Sequence, residues 1–326
     1  MKPIELKDKL HGVFNLTMTP FHKNGELNEE GLKANLRNLV KNCKGQDMVI
    51  LSLGTTGEFY TMSEKENLRV AEIVVNEING EFPVLIGSAR AGTRNTIEAS
   101  KAVQSVGADG VLIVHPYYAM PTEEEVMNHY KAVADELDIG VVVYNNSATS
   151  KLWLGPNSIA ELSKVENIIG LKENTNNPMS YLSMMKKLDP KDISIFCGLG
   201  HVMYQFMCFH GCSGYVTEIS NFAPELCFDL YKAGEAHDIE GIRKAVETMD
   251  MIWEFIDKVA ARRTKIPSVL TPAQTPHVMP FYQAVFKACM DIMGIPGGYV
   301  RAPMSNLTDD ERKELKDVLT RMGLLK

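Results

Sequence analysis

Eight short β-rich runs, each followed by a segment of helical period, recur along the chain up to Ile219. They are VFNLTM from Val13, MVILSLG from Met48, PVLIGSA from Pro83, GVLIVH from Gly110, IGVVVYN from Ile139, IIGLK from Ile168, ISIFCG from Ile193 and GYVTEI from Gly214. Continuous apolar strands that alternate with helices indicate a parallel sheet covered by helices. Eight such units in a row predict an α/β fold, a closed (β/α)8 TIM barrel.

The helical segments carry their own start signals. Ser63 with Glu66, and Thr122 with Glu125, form capping boxes ahead of apolar residues spaced three and four apart. After Ile219 only helical patterns remain, at residues 224–233, 235–260, 280–293 and 308–322, with the proline-containing stretch KIPSVLTPAQTPH as a loop between two of them. We therefore expect a barrel over residues 1–220, and a closing helix with a helical extension over residues 221–326.

Composition narrows the class of partner. The 326 residues include 45% hydrophobic and 23% charged residues, ordinary values for a globular protein, and carry a net charge of −7. This charge argues against nucleic acid or an anionic membrane as a partner. The first ten residues, MKPIELKDKL, hold no apolar stretch of signal-peptide type. The six cysteines follow no disulfide framework, so we expect reduced thiols and a cytoplasmic location.

One group of cysteines and histidines raises the question of a metal site. Cys208, His210 and Cys212 lie close together, with Cys197 and His201 upstream. A zinc site needs four converging ligands. The stretch CFHGCSGYV is typical of a helix end, a glycine turn and a strand, so burial of small thiols is the favoured interpretation and no metal is predicted.

Barrel enzymes place their chemistry at the carboxyl ends of the strands, and the sixth run ends in a lysine. Side chains alternate along a strand, so Gly170 and Lys172 share one face. A lysine held among apolar neighbours loses hydration of its charged form, and its pKa is expected to fall. Such an amine is a nucleophile toward carbonyl groups, which is Schiff-base chemistry. The alternative is a lysine that extends to solvent.

Two further strand ends carry candidate residues. GTTGE, at residues 54–58, gathers two hydroxyls and two glycines after an apolar strand, a pattern that suits an anion-binding nest of backbone amides or a plain turn. Tyr144 falls at the end of the fifth strand, where its hydroxyl could relay protons or its ring could simply cover the core.

Taken together, these motifs resemble the dihydrodipicolinate synthase / N-acetylneuraminate lyase family, whose members are class I, pyruvate-dependent lyases and aldolases. GTTGE, HPYY and IIGLKE stand in the family's order and spacing, and the resemblance runs from TMTPF near Pro20 to VRAPM near Arg301. It implies a (β/α)8 barrel with a C-terminal helical extension, no cofactor beyond a covalent lysine, and commonly a tetramer built from dimers.

The resemblance also assigns roles to residues. It implies that Lys172 forms a Schiff base with pyruvate or another 2-oxo acid, and that Tyr144 moves protons at the substrate. Thr55 and Thr56 match the pair that binds the pyruvyl carboxylate.

Two more positions match residues of the family pattern. Tyr118 matches a tyrosine that reaches across a tight dimer interface and joins Thr55 and Tyr144 in a proton relay. Val216 matches a residue whose backbone lines the pyruvate pocket.

The chain departs from the synthase pattern after the fifth strand. Dihydrodipicolinate synthases read YNVPxRT there, and the arginine grips the carboxylate of the aldehyde substrate. Here the stretch is YNNSATS, with Ser147 in the place of the proline and Thr149 in the place of the arginine. This replaces a bidentate cation by a neutral hydroxyl. His115 stands where the family has a threonine, and we expect a packing role for it.

Several functions stay open at this stage. The favoured one is a class I lyase or aldolase that makes or breaks a C–C bond, or dehydrates a 2-oxo-3-deoxy acid. The alternative is 4-hydroxy-tetrahydrodipicolinate synthase, with Arg90, Arg94 or Lys151 replacing the missing arginine. Arg90 lies an even number of residues after Ile86 and Ser88, so its side chain could point to the same face of the strand and enter the barrel mouth. A barrel that only binds a 2-oxo acid, and a metal-dependent aldolase, are less favoured.

Overall fold

The computed structural model describes residues 1–263 and 282–325. Eight parallel strands pair in chain order, and β8 closes on β1, which confirms the predicted barrel. The strands are β1 (Gly12–Leu16), β2 (Met48–Ser52), β3 (Val84–Gly87), β4 (Gly110–Val114), β5 (Gly140–Asn145), β6 (Ile168–Glu173), β7 (Ser194–Cys197) and β8 (Gly214–Thr217). The predicted loop KIPSVLTPAQTPH lies outside the described residues.

Helices connect the strands and follow the last one. They are α1 (Pro3–Lys7), α2 (Glu29–Cys43), α3 (Glu64–Ile78), α4 (Thr93–Ser105), α5 (Glu123–Ala134), α6 (Ser147–Ser150), α7 (Pro156–Leu162), α8 (Pro178–Lys187), α9 (Gly200–Met207), α10 (Pro224–Glu235), α11 (Ile239–Arg263), α12 (Tyr282–Ile292) and α13 (Asp309–Arg321). Both predicted capping boxes are present: Ser63 begins α3 and Thr122 begins α5.

The C-terminal helices extend the barrel. α10 contacts β1 and β8 and therefore closes the last βα unit, whereas α11 packs on α9 and α13, and α13 also contacts α12. The predicted start of the second C-terminal helix at residue 235 is wrong, because His237 has a left-handed backbone (φ 52°) that separates α10 from α11. The domain boundary at residue 220 stays a prediction. Within the described residues, no helix combines the length and apolarity that crossing a membrane requires.

The amino-terminal end of the barrel is covered by α1 and the residues that follow it. Leu6 and Leu10 are fully buried there. A methyl group on Gly110 or Gly140 would lie within 2.9 Å of Leu6 Cδ2, and one on Gly170 would lie 3.0 Å from Leu10 Cδ1. Glycine at these strand positions therefore makes room for the two leucines, which fill this end of the core.

Paired aromatic rings identify the inward face of the strands. Phe14 on β1 and Phe196 on β7 belong to strands that are not neighbours, yet their rings stack with centroids 3.9 Å apart. They can meet only across the barrel interior. Lys172 is the Cα partner of Phe196, and Tyr144 is the Cα partner of Lys172, so all of these side chains share the inward face.

Candidate active site

Strand β6 places the side chain of Lys172 inside the barrel, next to an aromatic ring. Lys172 is 3% exposed, and its Nζ lies 4.1 Å from the centroid of the Tyr144 ring. The phenol oxygen of Tyr144 accepts a hydrogen bond from Asn146 Nδ2 (3.0 Å), which orients the ring beside the amine. An amine and a phenol are thus held together at the carboxyl ends of two adjacent strands.

The residue that follows strand β7, Gly198, passes close to the side chains of Lys172 and Asn174. A Cβ atom on Gly198 would lie 1.8 Å from Asn174 Oδ1 and 2.9 Å from Lys172 Cγ. Only a residue without a side chain fits there. The end of β7 therefore leaves space for the lysine and for the Asn174 side chain, both of which line the pocket described below.

The segment that contains GTTGE begins and ends in an uncommon conformation. Leu53 (φ 57°) and Glu58 (φ 59°) both have left-handed backbones, which non-glycine residues seldom adopt. Such strained positions occur often at ligand-binding sites. Between them, Thr55 and Thr56 turn into the barrel mouth and line the pocket.

One pocket at the carboxyl end of the barrel collects most of the predicted residues. Those of the predicted set that line it are Lys172, Tyr144, Thr55, Thr56, Thr149 and Val216. The pocket also contains residues that the sequence left unassigned: Asn146, Asn174, Asn176, His201, Glu218, Trp253 and Tyr282. The geometry unites the predicted side chains, while their catalytic and binding roles stay predictions.

Tyr118 does not lie in this pocket. Its side chain is 86% exposed and follows the fourth strand, and the neighbouring Met120 is 71% exposed. Tyrosine and methionine side chains are enriched where one protein chain contacts another. The role across a dimer interface stays a prediction.

The expectation that Arg90 could enter the barrel mouth is corrected by the structure. Its guanidinium forms a bidentate pair with Glu64 (2.7 and 2.5 Å) and lies over the ring of Phe59. Strand β3 ends at Gly87, so the alternation of side chains that the parity argument required does not extend to residue 90.

The two other candidate cations lie elsewhere as well. Arg94 is paired with Glu98 one turn along the exposed face of α4 (3.0 Å). Lys151 donates to the carbonyl oxygen of Tyr117 (3.3 Å). Among the described residues that line the pocket, Lys172 is therefore the one lysine or arginine.

Glu218 is the chief residue that sequence reasoning missed. Its Oε1 accepts a hydrogen bond from Thr56 Oγ1 (3.2 Å), and the same hydroxyl lies 3.3 Å from the hydroxyl of Tyr282. Burial raises the pKa of the Glu218 carboxyl, against the opposing pull of the Lys172 charge and the Thr56 hydroxyl. The sequence shows it in TEIS at the end of the eighth run, but it lies one residue beyond β8, where strand alternation no longer indicates the direction of a side chain.

A histidine and two aromatic rings complete the outer part of the pocket. His201, at the start of α9, is 2% exposed, and its Nε2 lies 2.9 Å from Asp250 Oδ1 on α11. Trp253 on α11 and Tyr282 on α12 stack with centroids 6.2 Å apart. Both rings come from the helical extension, and no local pattern in the sequence indicated that they would reach the barrel mouth.

Behind the lysine, a buried polar network lies on the outer face of the strands. Glu173 accepts hydrogen bonds from Asn145 Nδ2 (2.8 Å), Trp153 Nε1 (3.0 Å) and the backbone N–H of Thr175 (2.7 Å). Burial raises the pKa of Glu173 to about 7. The network holds the residues that follow Lys172 and Tyr144 in the chain.

His115 extends this network. It is buried, as expected, but does more than pack: its ring nitrogens lie 2.8 Å from the Tyr130 hydroxyl and 3.0 Å from Asn145 Oδ1. Burial lowers the pKa of His115 to about 4.

The thiols are buried rather than arranged around an ion. All six cysteines are buried free thiols, and burial raises the pKa of Cys208 to about 11 and that of Cys212 to about 12. The part of the chain that the structure describes contains no group of three or more histidine, cysteine and acidic side chains that could hold a metal ion.

Comparison with known proteins places this barrel in a family. The Dihydrodipicolinate synthetase family model matches residues 9–322, so the chain belongs to that family. It is 28% identical to the 4-hydroxy-tetrahydrodipicolinate synthase of Methanothrix thermoacetophila over 96% of this chain and 97% of the relative. It is 29% identical to the enzyme of the same name from Syntrophus aciditrophicus, over 96% and 99%.

A solved structure agrees in fold. YagE, a prophage protein of the dihydrodipicolinic acid synthase family from E. coli K12, was solved in complex with pyruvate. It is 25% identical to this chain, with a TM-score of 0.81 and coverage of 97% of this chain and 99% of YagE.

Proposed function

We propose that this protein is a class I lyase or aldolase that binds pyruvate or another 2-oxo acid as a Schiff base on Lys172. The observation that carries the proposal is the pocket itself. A buried amine lies 4.1 Å from the Tyr144 ring, with Thr55 and Thr56 lining the same space. Family membership supports it, as does the pyruvate bound to YagE.

The chemistry follows from these groups. The uncharged amine of Lys172 attacks the C2 carbonyl of the 2-oxo acid to form a carbinolamine, which takes up one proton and loses water to leave an iminium ion. The iminium accepts the electron pair released when a proton leaves C3, or when the C3–C4 bond breaks, and becomes an enamine. The Tyr144 hydroxyl carries protons to and from the substrate. Thr55 and Thr56 offer a hydroxyl and backbone amides to the carboxylate of the 2-oxo acid.

Reductive trapping tests this function. Borohydride with pyruvate is expected to add one pyruvyl-derived mass to each wild-type chain, and the adduct should map to Lys172. The Lys172→Ala variant should take no adduct. Labelling at wild-type level in that variant, or no labelling of the wild type, would rule out the mechanism.

The names of the curated relatives favour a second candidate, 4-hydroxy-tetrahydrodipicolinate synthase. The family resemblance implies that such an enzyme joins pyruvate to aspartate semialdehyde. Thr149 lines the pocket where the synthase pattern has its arginine, and Arg90 is paired with Glu64. A charge-assisted hydrogen bond contributes roughly 1.5–3 kcal/mol. We therefore expect weak condensation with aspartate semialdehyde. A kcat/KM of about 10⁴ M⁻¹s⁻¹ or more would establish the second candidate.

We also propose a cytoplasmic homo-oligomer, a dimer or a tetramer of dimers, that needs no added cofactor. The free thiols support the location. The exposed Tyr118 and Met120 support the assembly. The covalent role of Lys172 supplies the electron sink that a cofactor would otherwise provide. Neither nucleic acid nor a membrane is proposed as a partner.

A further inference from the structure

The carboxyl group of Glu218 occupies an unusual place for a site that binds acids. It is held by the hydroxyl of Thr56, one of the two threonines proposed to bind the carboxylate of the 2-oxo acid. It lines the same pocket as Lys172 and His201. A carboxyl group therefore faces the reacting end of the pocket directly.

The balance of charge in the pocket changes when the substrate is bound. Among the described residues that line the pocket, Lys172 is the one lysine or arginine, and Glu218 is the one aspartate or glutamate. When a 2-oxo acid forms the iminium, the positive nitrogen and the substrate's own carboxylate offset each other. Glu218 is then left without a compensating lysine or arginine among the lining residues that the structure describes.

The ring of His201 does not compensate the charge of Glu218, because it already faces another carboxylate. Its Nε2 faces Asp250 Oδ1 at 2.9 Å, so any positive charge on the ring is already paired with a carboxylate. With Glu218 ionised, a second carboxylate on the substrate would enter a space in which the uncompensated charge of the described lining residues is also negative. Like charges brought together in this way are strongly disfavoured.

The remaining wall suits an uncharged tail. Asn146, Thr149, Asn174 and Asn176 offer amide and hydroxyl groups, and Trp253 and Tyr282 offer ring surface beside them. Amides and hydroxyls exchange hydrogen bonds with the hydroxyl groups of a substrate, and the rings cover its C–H surface.

We propose that Glu218 determines specificity at this site: it excludes 2-oxo acids with a second carboxylate, and the pocket accepts those with an uncharged, hydroxylated tail. The inference rests on the proposed Schiff-base function. It adds a residue that rejects the wrong substrates by repulsion, which is a common route to specificity.

Competitive trapping on the full-length protein tests this inference. Wild type is mixed with equal amounts of 2-oxoglutarate, which has a terminal carboxylate, and 2-oxopentanoate, which has the same chain length and an uncharged end. Cyanoborohydride then fixes both imines, and the two adducts are counted by intact mass. We expect the wild type to favour 2-oxopentanoate. Glu218→Gln should raise the ratio of 2-oxoglutarate to 2-oxopentanoate adduct by about 10-fold or more.

The control variant is Glu254→Gln. Glu254 is exposed on α11 next to Trp253 and does not line the pocket, so the substitution changes the net charge equally. Its adduct ratio should stay within about twofold of wild type, because an exposed charge is screened by solvent. If Glu218→Gln fails to fold, Glu218→Ser removes the same charge, and the wild-type ratio remains a test by itself.

Each result is decisive. A wild type that prefers 2-oxoglutarate, or a Glu218 variant whose ratio matches wild type, overturns the role of Glu218. The role of Glu218 is also overturned if the wild type traps pyruvate but neither 2-oxoglutarate nor 2-oxopentanoate, because the pocket would then admit no substrate longer than pyruvate. Failure to trap pyruvate overturns the proposed function itself, and this outcome is distinct from the others.

Discussion

At the scale of single residues, the structure shows where the lysine near the end of β6 points. Its Cα partners are Tyr144 and Phe196, and its side chain is almost wholly buried in the barrel mouth. A snorkelling lysine would reach solvent, whereas this amine ends beside the Tyr144 ring. Taking a charged group out of water without a function would only destabilise the fold.

Tyr144→Phe separates packing from proton transfer. The ring should still pack against Lys172, so imine trapping with pyruvate is expected to persist. Turnover should fall by about 10²–10⁴-fold, the usual contribution of general acid–base help. Steady-state kinetics beside the trapping assay provide the measurement. Activity within a factor of two of wild type would show that the residue only covers the core.

Glu173 gives the fold a pH dependence of defined sign. Burial raises the pKa of Glu173 from 4.5 to about 7 in the folded state. Between these values the folded protein keeps a proton that the unfolded chain has released. The contribution of Glu173 to the free energy of unfolding is therefore present in full below about pH 4.5 and is lost as the pH rises to about 7, by about 3 kcal/mol.

Glu173→Gln should remove this dependence. Urea unfolding from pH 4.5 to 7.5 is the measurement, and the difference between variant and wild type is the quantity to follow. Burial lowers the pKa of both His115 and His129 to about 4, and their effect on stability has the opposite sign. Because both histidines are present in both proteins, their effect should largely cancel in the difference. A difference that is flat across this window contradicts the prediction.

At the scale of the elements, α12 fixes the loop that carries the two threonines. Lys287 on α12 forms a buried ion pair with Glu58, the last residue of GTTGE, and also donates to the carbonyl oxygen of Tyr299 (2.8 Å). The other carboxylate oxygen of Glu58 accepts from the backbone N–H of Arg301 (3.1 Å). A helix beyond the barrel therefore holds the end of a loop at its mouth.

Lys287→Met should destabilise the protein by about 3–5 kcal/mol, because it leaves the Glu58 carboxylate buried without its cation. The double variant Lys287→Met/Glu58→Gln should recover part of that loss. Denaturant unfolding measures both. Arg94→Ala is the control, because its pair with Glu98 is exposed and should contribute at most about 1 kcal/mol. Equal losses in the single and double variants would show that the ion pair is not what Lys287 contributes.

At the scale of the whole molecule, we expect the proposed active site to receive one residue from a second chain. Tyr118, which the family resemblance places in the proton relay, does not line the pocket of its own chain and is 86% exposed. In a symmetric dimer each chain would lend this tyrosine to its partner. The exposed ring is then part of an interface rather than of the free surface.

Mixing two inactive variants tests that arrangement. Tyr118→Phe retains Lys172, and Lys172→Ala retains Tyr118. In a hybrid dimer one of the two sites receives both groups. Unfolding and refolding an equal mixture should restore about a quarter of the wild-type sites, as random pairing in a dimer requires. Each variant refolded alone is the control. No recovery in a mixture shown by light scattering to contain dimers would place Tyr118 outside the partner's site.

Patterns in the sequence were enough to predict the barrel and much of the pocket. Apolar runs of regular spacing fix parallel strands, and residues at the carboxyl ends of such strands must meet at one mouth. That rule indicates Lys172, Tyr144 and the segment with Thr55 and Thr56, whereas the family resemblance indicated Thr149 and Val216. All six line one pocket. The parity argument failed for Arg90, because alternation holds only within a strand and β3 had already ended.

The surroundings of those residues became known from the packed helices and strands. Trp253, Tyr282 and Asp250 come from helices beyond the barrel, and their approach to the mouth depends on how α11 and α12 pack, which no local pattern encodes. Glu218 lies at the end of the eighth apolar run of the sequence. Its proposed role in specificity, however, depends on its distance to Thr56 and on the absence of a compensating cation among the described lining residues. The periodicity of a chain specifies its elements, whereas contacts between side chains far apart in sequence exist only after the core has packed.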